Sequence, residues 1–142
     1  MERTTFSTSI DAPCDKVWDI LWQDETYSQW TAVFAEGSSV ETDWQKGSKV
    51  LFTDGKGSGM VSFIDDIVPN EFMSFKHMGE LKNSVENMAE TAWTGSMENY
   101  HLKNMNGKTE LTVEIDINDE FKEYFVNTFP KALAKVKELS EQ

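Results

Sequence analysis

The chain begins with a strict alternation of side-chain character. Thr4, Phe6, Thr8 and Ile10 alternate with more polar residues, which is the two-residue period of a strand that is buried on one face. The pattern stops at residues 11–13, where an aspartate and a proline favour a turn. The alternation therefore predicts a first strand that ends just before this turn.

Helical spacing replaces the alternation after the turn. Apolar residues recur at steps of three and four, at Cys14, Val17, Trp18 and Leu21. Pro13 suits the first position of a helix because its missing N–H has no partner there, so we expect a helix over about residues 13–22. A second short helix is predicted to begin with Asp24 as its N-cap and to carry Tyr27 and Trp30 on one side.

Short stretches rich in Val, Phe, Ile and Thr follow residue 37 and are separated by glycine-containing or proline-containing turns. These turns fall at residues 46–47, 54–57, 68–71 and 106–107. The pattern is typical of an antiparallel meander, and we expect six strands in it. Residues 79–92 fit none of these strands and are predicted to form a long connection.

The Asn106-Gly107 turn fixes the register of the last hairpin, because both central positions of a type I′ turn need a positive φ. Closing this turn between Met105 and Lys108 sets the facing pairs. The predicted pairs are Glu98–Ile115, Tyr100–Val113, Leu102–Leu111 and Lys103–Glu110. Because their partners lie on the apolar face, Glu98 and Tyr100 should point into the core or into a cavity.

A long amphipathic helix is predicted at the end of the chain, with Asn118 or Asp119 as its N-cap. Its apolar stripe consists of Phe121, Phe125, Phe129, Ala132, Leu133 and Val136. Pro130 lies inside this helix and removes the hydrogen bond to the carbonyl of Val126. We therefore expect a bend in mid-helix or a break into two helices.

Several short motifs occur in a characteristic order over nearly the whole chain. They are Ile10-Asp11-Ala12-Pro13 leading into Val17-Trp18, then Trp30, Trp44 before Gly47, Val61 with Pro69 at the next hairpin, Thr109-Glu110-Leu111 after the Asn-Gly turn, and Leu133 with Val136-Lys137. This order resembles the START-like (SRPBCC) superfamily, also called the polyketide cyclase or birch-pollen-allergen fold. Within it, the chain is most similar to the family homologous to the C-terminal domain of the activator of heat-shock protein ATPase.

The resemblance implies an α+β helix-grip fold in one domain, residues 1–142. A curved antiparallel sheet of about seven strands would wrap around the long C-terminal helix, with two short helices after the first strand. Many relatives bind apolar or aromatic molecules in a cavity between sheet and helix, which residues 79–92 could cover here. The family has no universal catalytic motif to transfer, and Phe129 lies where relatives often have Trp.

Composition and charge exclude several classes of function. Thirteen basic against 25 acidic residues give a net charge of −12, which argues against nucleic acid as a partner and against anionic membrane surfaces. No apolar run approaches the roughly 20 residues that span a bilayer. The single Cys14 cannot form an internal disulfide, and the N-terminal residues lack the apolar segment of a signal peptide. We expect a cytoplasmic protein.

Metal and nucleotide chemistry find little support in the sequence. His77 and His101 lie on successive predicted strands about 20 Å apart, too far to share a metal ion. Gly55, Gly57 and Gly59 fall in a hairpin turn rather than between a strand and a helix, so they do not form a phosphate-binding loop. Cys14 lies on the apolar side of its helix and is expected to pack there. We predict no cofactor and no metal.

Glu98 is the candidate acid or base, because the hairpin register directs it inward among apolar neighbours that should raise its pKa. The alternative is that Glu98 reaches water at the end of the sheet or bonds to a backbone N–H. If Glu98 acts as the acid or base of an enzyme, Tyr100 would donate a hydrogen bond to a developing oxyanion.

The sequence leaves three functions open. The first is binding of a small apolar or aromatic molecule in the cavity. The predicted ligand-binding residues are Trp30, Phe34, Phe52, Phe75, Trp93, Glu98, Tyr100, Val113, Phe125 and Phe129. The second is an enzyme of the cyclase, dehydratase or hydrolase kind that uses Glu98. The third is a co-chaperone-like module with a protein partner.

Overall fold

A computed structural model describes residues 1–142 and shows one sheet with three helices. The strands are β1 (Glu2–Ile10), β2 (Ser39–Glu41), β3 (Lys49–Thr53), β4 (Gly59–Val68), β5 (Phe72–Lys82), β6 (Val85–Asn87), β7 (Ser96–Met105) and β8 (Lys108–Ile117). The helices are α1 (Cys14–Trp22), α2 (Asp24–Trp30) and α3 (Asp119–Ser140).

The sheet is antiparallel and open, with the strand order β1-β8-β7-β5-β4-β3-β2, and β6 pairs with β5. Its concave face packs against α3, which also contacts β1, α1 and α2. Val136, Ala132 and Leu133 on α3 are almost completely buried. The predicted α+β helix-grip fold, with two short helices after the first strand, is confirmed.

The register predicted for the last hairpin is confirmed in detail. Met105 faces Lys108 across the turn, and the four pairs inferred from the sequence are all present. Asn106 and Gly107 have φ values of 57° and 88°, as the type I′ turn requires. The inner face of β7 and β8 therefore presents Glu98 and Tyr100 to the concave side of the sheet.

The connection predicted for residues 79–92 is partly wrong. β5 continues to Lys82, turns at Asn83 and Ser84, and pairs with the short strand β6. Both turn residues adopt positive φ values, which Asn tolerates better than most residues. The sequence missed this hairpin because β6 has only three residues, all exposed, and so shows no hydrophobic alternation.

The two short helices begin one residue away from the predicted positions. Pro13 occupies the N-cap of α1 rather than its first turn, and Gln23 rather than Asp24 is the N-cap of α2. Cys14 is half-buried, and its sulfur accepts a hydrogen bond from the Thr109 hydroxyl at 3.3 Å. None of the three helices combines the length and apolar character needed to cross a membrane.

Helix α3 runs without interruption through Pro130, so the alternative of a break into two helices is wrong. Asn118 is its N-cap, as predicted. Pro130 is exposed, whereas Phe129 and Leu133 on either side are buried. The apolar stripe holds the helix together across the missing backbone hydrogen bond, because tertiary packing outweighs local propensity.

Replacing Pro130 with alanine is expected to stabilise the protein by about 1–2 kcal/mol. Alanine restores the N–H donor in mid-helix, and the gain is reduced by the greater freedom of the unfolded chain. Urea unfolding of the Pro130→Ala variant and of the unchanged protein measures the difference. An unchanged or lower midpoint would contradict this account of α3.

Candidate functional site

A cavity of about 510 Å³ lies between the concave face of the sheet, the α1–α2 segment and the first half of α3. We call it the sheet–helix cavity. Most of its walls are hydrophobic, and they include the rings of Trp22, Trp30, Phe52 and Phe129. It is partly open to solvent near Phe121 and Tyr124, whose side chains are about half exposed. A volume of this size matches the range of small-molecule pockets, about 300–1,000 Å³.

Four polar side chains form a continuous chain of hydrogen bonds in one wall of the cavity. We call Ser62, His77, Glu98 and Tyr100 the acid cluster. The Tyr100 hydroxyl donates to Glu98 Oε2 at 2.5 Å, and His77 Nε2 lies 3.0 Å from Glu98 Oε1. On its other side, His77 Nδ1 lies 2.6 Å from the hydroxyl oxygen of Ser62. The cluster thus crosses three neighbouring strands, β4, β5 and β7.

The pairing of β5 with β7 brings His77 and Glu98 together. His77 faces Ser96 and Glu98 faces Phe75, so the two side chains are diagonal neighbours on the same face of the sheet. His101 points to the opposite face and bonds to the Glu114 carboxylate at 2.6 Å. The two histidines therefore contact different carboxylates on opposite faces of the sheet.

The hydrogen bonds decide the ionisation of Glu98. Burial raises its pKa, but the bonds from His77 and Tyr100, together with the charge on His77, outweigh burial and leave the pKa below its ordinary value of 4.5. The expectation of a raised pKa is therefore wrong, because the sequence did not reveal His77 as a partner. Glu98 is an anion at neutral pH, and 22% of its side chain stays exposed because it faces the cavity.

Two tyrosines near Glu98 are held in the neutral form. Burial and then the negative charge of Glu98 raise the pKa of Tyr100 well above its usual range. The same two causes, in the same order, raise the pKa of Tyr27. Both phenols therefore remain protonated and can act as hydrogen-bond donors at neutral pH.

Comparison with known protein families gives one match to this chain. The family described as "Activator of Hsp90 ATPase homolog 1-like protein" matches residues 11–141. The chain belongs to this family. The resemblance inferred from the sequence motifs, to this family and to the START-like superfamily, is thereby confirmed. A search of the curated proteins found no match.

Solved structures with this fold share little sequence with this member of the family. The solution structure of the Aha1 dimer from Colwellia psychrerythraea is 18% identical and has a TM-score of 0.77, covering 99% of this chain and 97% of its own. DynU16, from the dynemicin biosynthetic locus, is 14% identical with a TM-score of 0.72; 97% of this chain matches 46% of DynU16. CalU16 from Micromonospora echinospora is 17% identical with a TM-score of 0.65, and the match covers 95% of this chain and 71% of CalU16. At these identities the likeness shows the fold alone.

The structure brings most of the predicted site residues together around the sheet–helix cavity. The residues that line the cavity are Trp30, Phe34, Phe52, Trp93, Glu98, Tyr100, Phe125 and Phe129. Phe75 and Val113 do not line it and are completely buried. The rings of Trp22 and Phe52 lie 5.3 and 5.0 Å from the ring of Phe75 and cover it. A ligand-binding role for the lining residues stays a prediction.

Sequence reasoning missed several residues that line the cavity. Among them are Trp22, Tyr27, His77, Ile115, Phe121 and Tyr124. Two signals could have found some of them: Ile115 faces Glu98 in the predicted register, and Tyr27 shares a helix side with Trp30. His77 carried no such signal, because its position opposite β7 depends on the length of the misassigned connection.

The order Ser62–His77–Glu98 does not make a nucleophile of the serine. Ser62 is completely buried and does not line the cavity, so no substrate can reach its hydroxyl. Its contact with Nδ1 fixes the orientation of the His77 ring. Chemically, the cluster offers the cavity a carboxylate that accepts hydrogen bonds and an imidazole that can hold a proton.

Proposed function

We propose that the sheet–helix cavity binds a small molecule with an apolar or aromatic skeleton. The observation that carries this proposal is a cavity of about 510 Å³ with predominantly apolar walls and polar groups gathered in the acid cluster. Such a combination supports binding, since apolar surface supplies affinity and a few polar groups fix the orientation of the ligand.

Aromatic rings continue around the cavity and support an aromatic ligand in particular. Phe34 lies between Phe125 and Phe129, with ring centroids 6.2 and 5.2 Å away. On the opposite side, Trp22 lies against Tyr100 at 4.9 Å with its ring nearly perpendicular. A flat ring in the cavity would meet edges and faces in the offset or T-shaped arrangements that aromatic pairs prefer.

A substitution that fills the cavity tests the proposal. Ser96 lines the cavity from β7, and a Ser96→Phe substitution would place a ring inside it. We expect the variant to bind the uncharged fluorescent probe N-phenyl-1-naphthylamine at least about tenfold more weakly than the unchanged protein, a loss of ~1.4 kcal/mol. Probe fluorescence titrated against protein concentration measures both affinities.

Met97 provides the matched control, because it is the next residue on the same strand and its side chain points to the other face. A Met97→Phe substitution should leave the affinity for the probe within about twofold. If the unchanged protein does not bind the probe, or if Ser96→Phe binds it equally well, the proposal is wrong. Circular dichroism of both variants checks that they are folded.

The enzyme and protein-interaction hypotheses stay predictions. The Tyr100 proton is already engaged with Glu98, so Tyr100 does not offer a free donor to a developing oxyanion. The Colwellia protein forms a dimer. No specific contact in this chain supports either self-association or binding of another protein.

A further inference from the structure

The charged groups that line the sheet–helix cavity are almost all negative. Glu98, Glu80 and Asp116 line it, and neither a lysine nor an arginine side chain does. Asp116 is paired with the guanidinium group of Arg3 at 2.9 Å, whereas the partner of Glu98 is the imidazole of His77 at 3.0 Å. His77 is the one histidine in the lining, and it already contacts Glu98.

Glu98 has hydrogen-bonding capacity left on the cavity side. A carboxylate has about four acceptor positions, and His77 and Tyr100 occupy one on each oxygen. The partial exposure of the Glu98 side chain shows that the remaining positions are reachable from the cavity. A buried anion in an apolar wall favours a ligand that brings hydrogen-bond donors and positive charge.

Tyr27 adds a further polar group to the lining of the same cavity. It is 93% buried and lines the cavity together with Glu98. It lies close enough to Glu98 for the carboxylate charge to raise the pKa of Tyr27. A phenol can accept a hydrogen bond from a polar group of a ligand in the cavity.

Aromatic rings pack against one another in the same wall. Tyr27 lies 5.5 Å from Trp30, and Trp30 in turn lies 6.4 Å from Tyr100. At these distances the rings contact one another directly, so a cation in the cavity would interact with the Glu98 carboxylate and not with a site between the rings. The net charge of −12 also raises the local concentration of cations around the protein.

We propose that the cavity selects an aromatic or apolar molecule that carries a protonated amine, with the ammonium group on the cavity side of Glu98. This proposal rests on the proposed function, since it names the class of ligand that the same cavity takes. The apolar part of the ligand lies toward Phe34 and Phe129, away from the acid cluster. Molecules that carry a carboxylate at the same position are disfavoured, because Glu98 repels them.

Three indole compounds that differ only at the end of the side chain test the preference. Tryptamine is a cation at neutral pH, tryptophol is uncharged, and indole-3-propionate is an anion. We expect tryptamine to bind at least about tenfold more tightly than tryptophol, a difference of ~1.4 kcal/mol, and indole-3-propionate to bind most weakly. Isothermal titration calorimetry at about 0.15 M salt measures the three affinities while screening distant charges.

A matched pair of variants separates Glu98 from the general negative charge. Glu98→Gln removes the carboxylate in the cavity, whereas Glu114→Gln removes a carboxylate that is also bound to a histidine but lies on the other face of the sheet. We expect the preference for tryptamine over tryptophol to disappear in Glu98→Gln and to persist in Glu114→Gln. Both variants lose one negative charge, so long-range attraction is the same.

Other results would overturn the inference in distinguishable ways. If tryptophol or indole-3-propionate binds as tightly as tryptamine, or if Glu98→Gln keeps the preference, the amine specificity is wrong while binding in the cavity stands. If none of the three compounds binds but N-phenyl-1-naphthylamine does, the amine specificity is again wrong. If the neutral probe also fails to bind, both the amine specificity and the proposed binding function are wrong.

Discussion

Replacing Phe75 with alanine is expected to lower the free energy of unfolding by about 3–5 kcal/mol, the usual cost of truncating a fully buried phenylalanine. Phe75 is completely buried on β5. Its ring lies in T-shaped contact with Trp22, Phe52 and Tyr100, at 5.3, 5.0 and 6.4 Å. Removing it leaves an empty space beneath the cavity wall, which these large rings cannot fill without leaving their positions. Urea unfolding followed by tryptophan fluorescence measures the loss.

Phe121 provides the control for this prediction. It also carries a phenyl ring, but 47% of it is exposed at the mouth of the cavity. Phe121→Ala should cost about 1 kcal/mol or less, because much of its apolar surface is already in water. Similar losses in the two variants would contradict the placement of Phe75 in the core. An unchanged free energy of unfolding in Phe75→Ala would also contradict that placement.

Replacing His77 with leucine is expected to lower stability by about 1.5–3 kcal/mol at neutral pH. The substitution leaves the Glu98 carboxylate in its buried position with Tyr100 as its remaining donor, and hydrogen bonds to charged groups contribute about this much. The Ser62 hydroxyl also loses its partner. Thermal and urea unfolding at several pH values measure the effect.

The cost of His77→Leu should decrease as the pH falls. In the unchanged protein the folded-state pKa of Glu98 lies below its ordinary value of 4.5, so ionised Glu98 stabilises the fold above that pH and this contribution is lost as the pH falls through the folded-state pKa. Without His77 the pKa of Glu98 rises, and the contribution shrinks. The two proteins should therefore differ most at neutral pH and least at pH values below the folded-state pKa of Glu98.

A double-mutant cycle with Glu98→Gln shows whether the stranded carboxylate causes the loss. We expect His77→Leu to cost about 1–2 kcal/mol less when Glu98 is already Gln than when it is Glu. If the two costs are equal, the two side chains are not coupled, and the pH dependence must come from other groups. The His101–Glu114 pair is exposed, and its removal should change stability by less than about 1 kcal/mol.

Local signals predicted the parts of the fold that depend on neighbouring residues. The Asn106-Gly107 turn determined the pairing of β7 with β8, and through it the inward direction of Glu98 and Tyr100. The spacing of apolar residues located α1 and α3 to within a residue. These features follow from backbone conformation and from hydrophobic periodicity, which a single sequence displays directly.

The candidate site depended on contacts that the sequence does not display. The sequence did not reveal that His77 faces Ser96, so its contact with Glu98 was missed and the pKa of Glu98 was predicted in the wrong direction. Phe75 was predicted to line the cavity, but Trp22 from α1 and Phe52 from β3 cover it. Both differences arise from elements that are distant in the chain and meet only in the folded protein.

The way in which the acid cluster crosses β4, β5 and β7 has a consequence for redesign of this protein. Ser62, His77, Glu98 and Tyr100 satisfy one another, so each side chain determines which residues are acceptable at the other three positions. A library that randomises Glu98 alone would sample mostly variants with an unsatisfied histidine or tyrosine. New ligand specificity should therefore be sought by varying the four positions together.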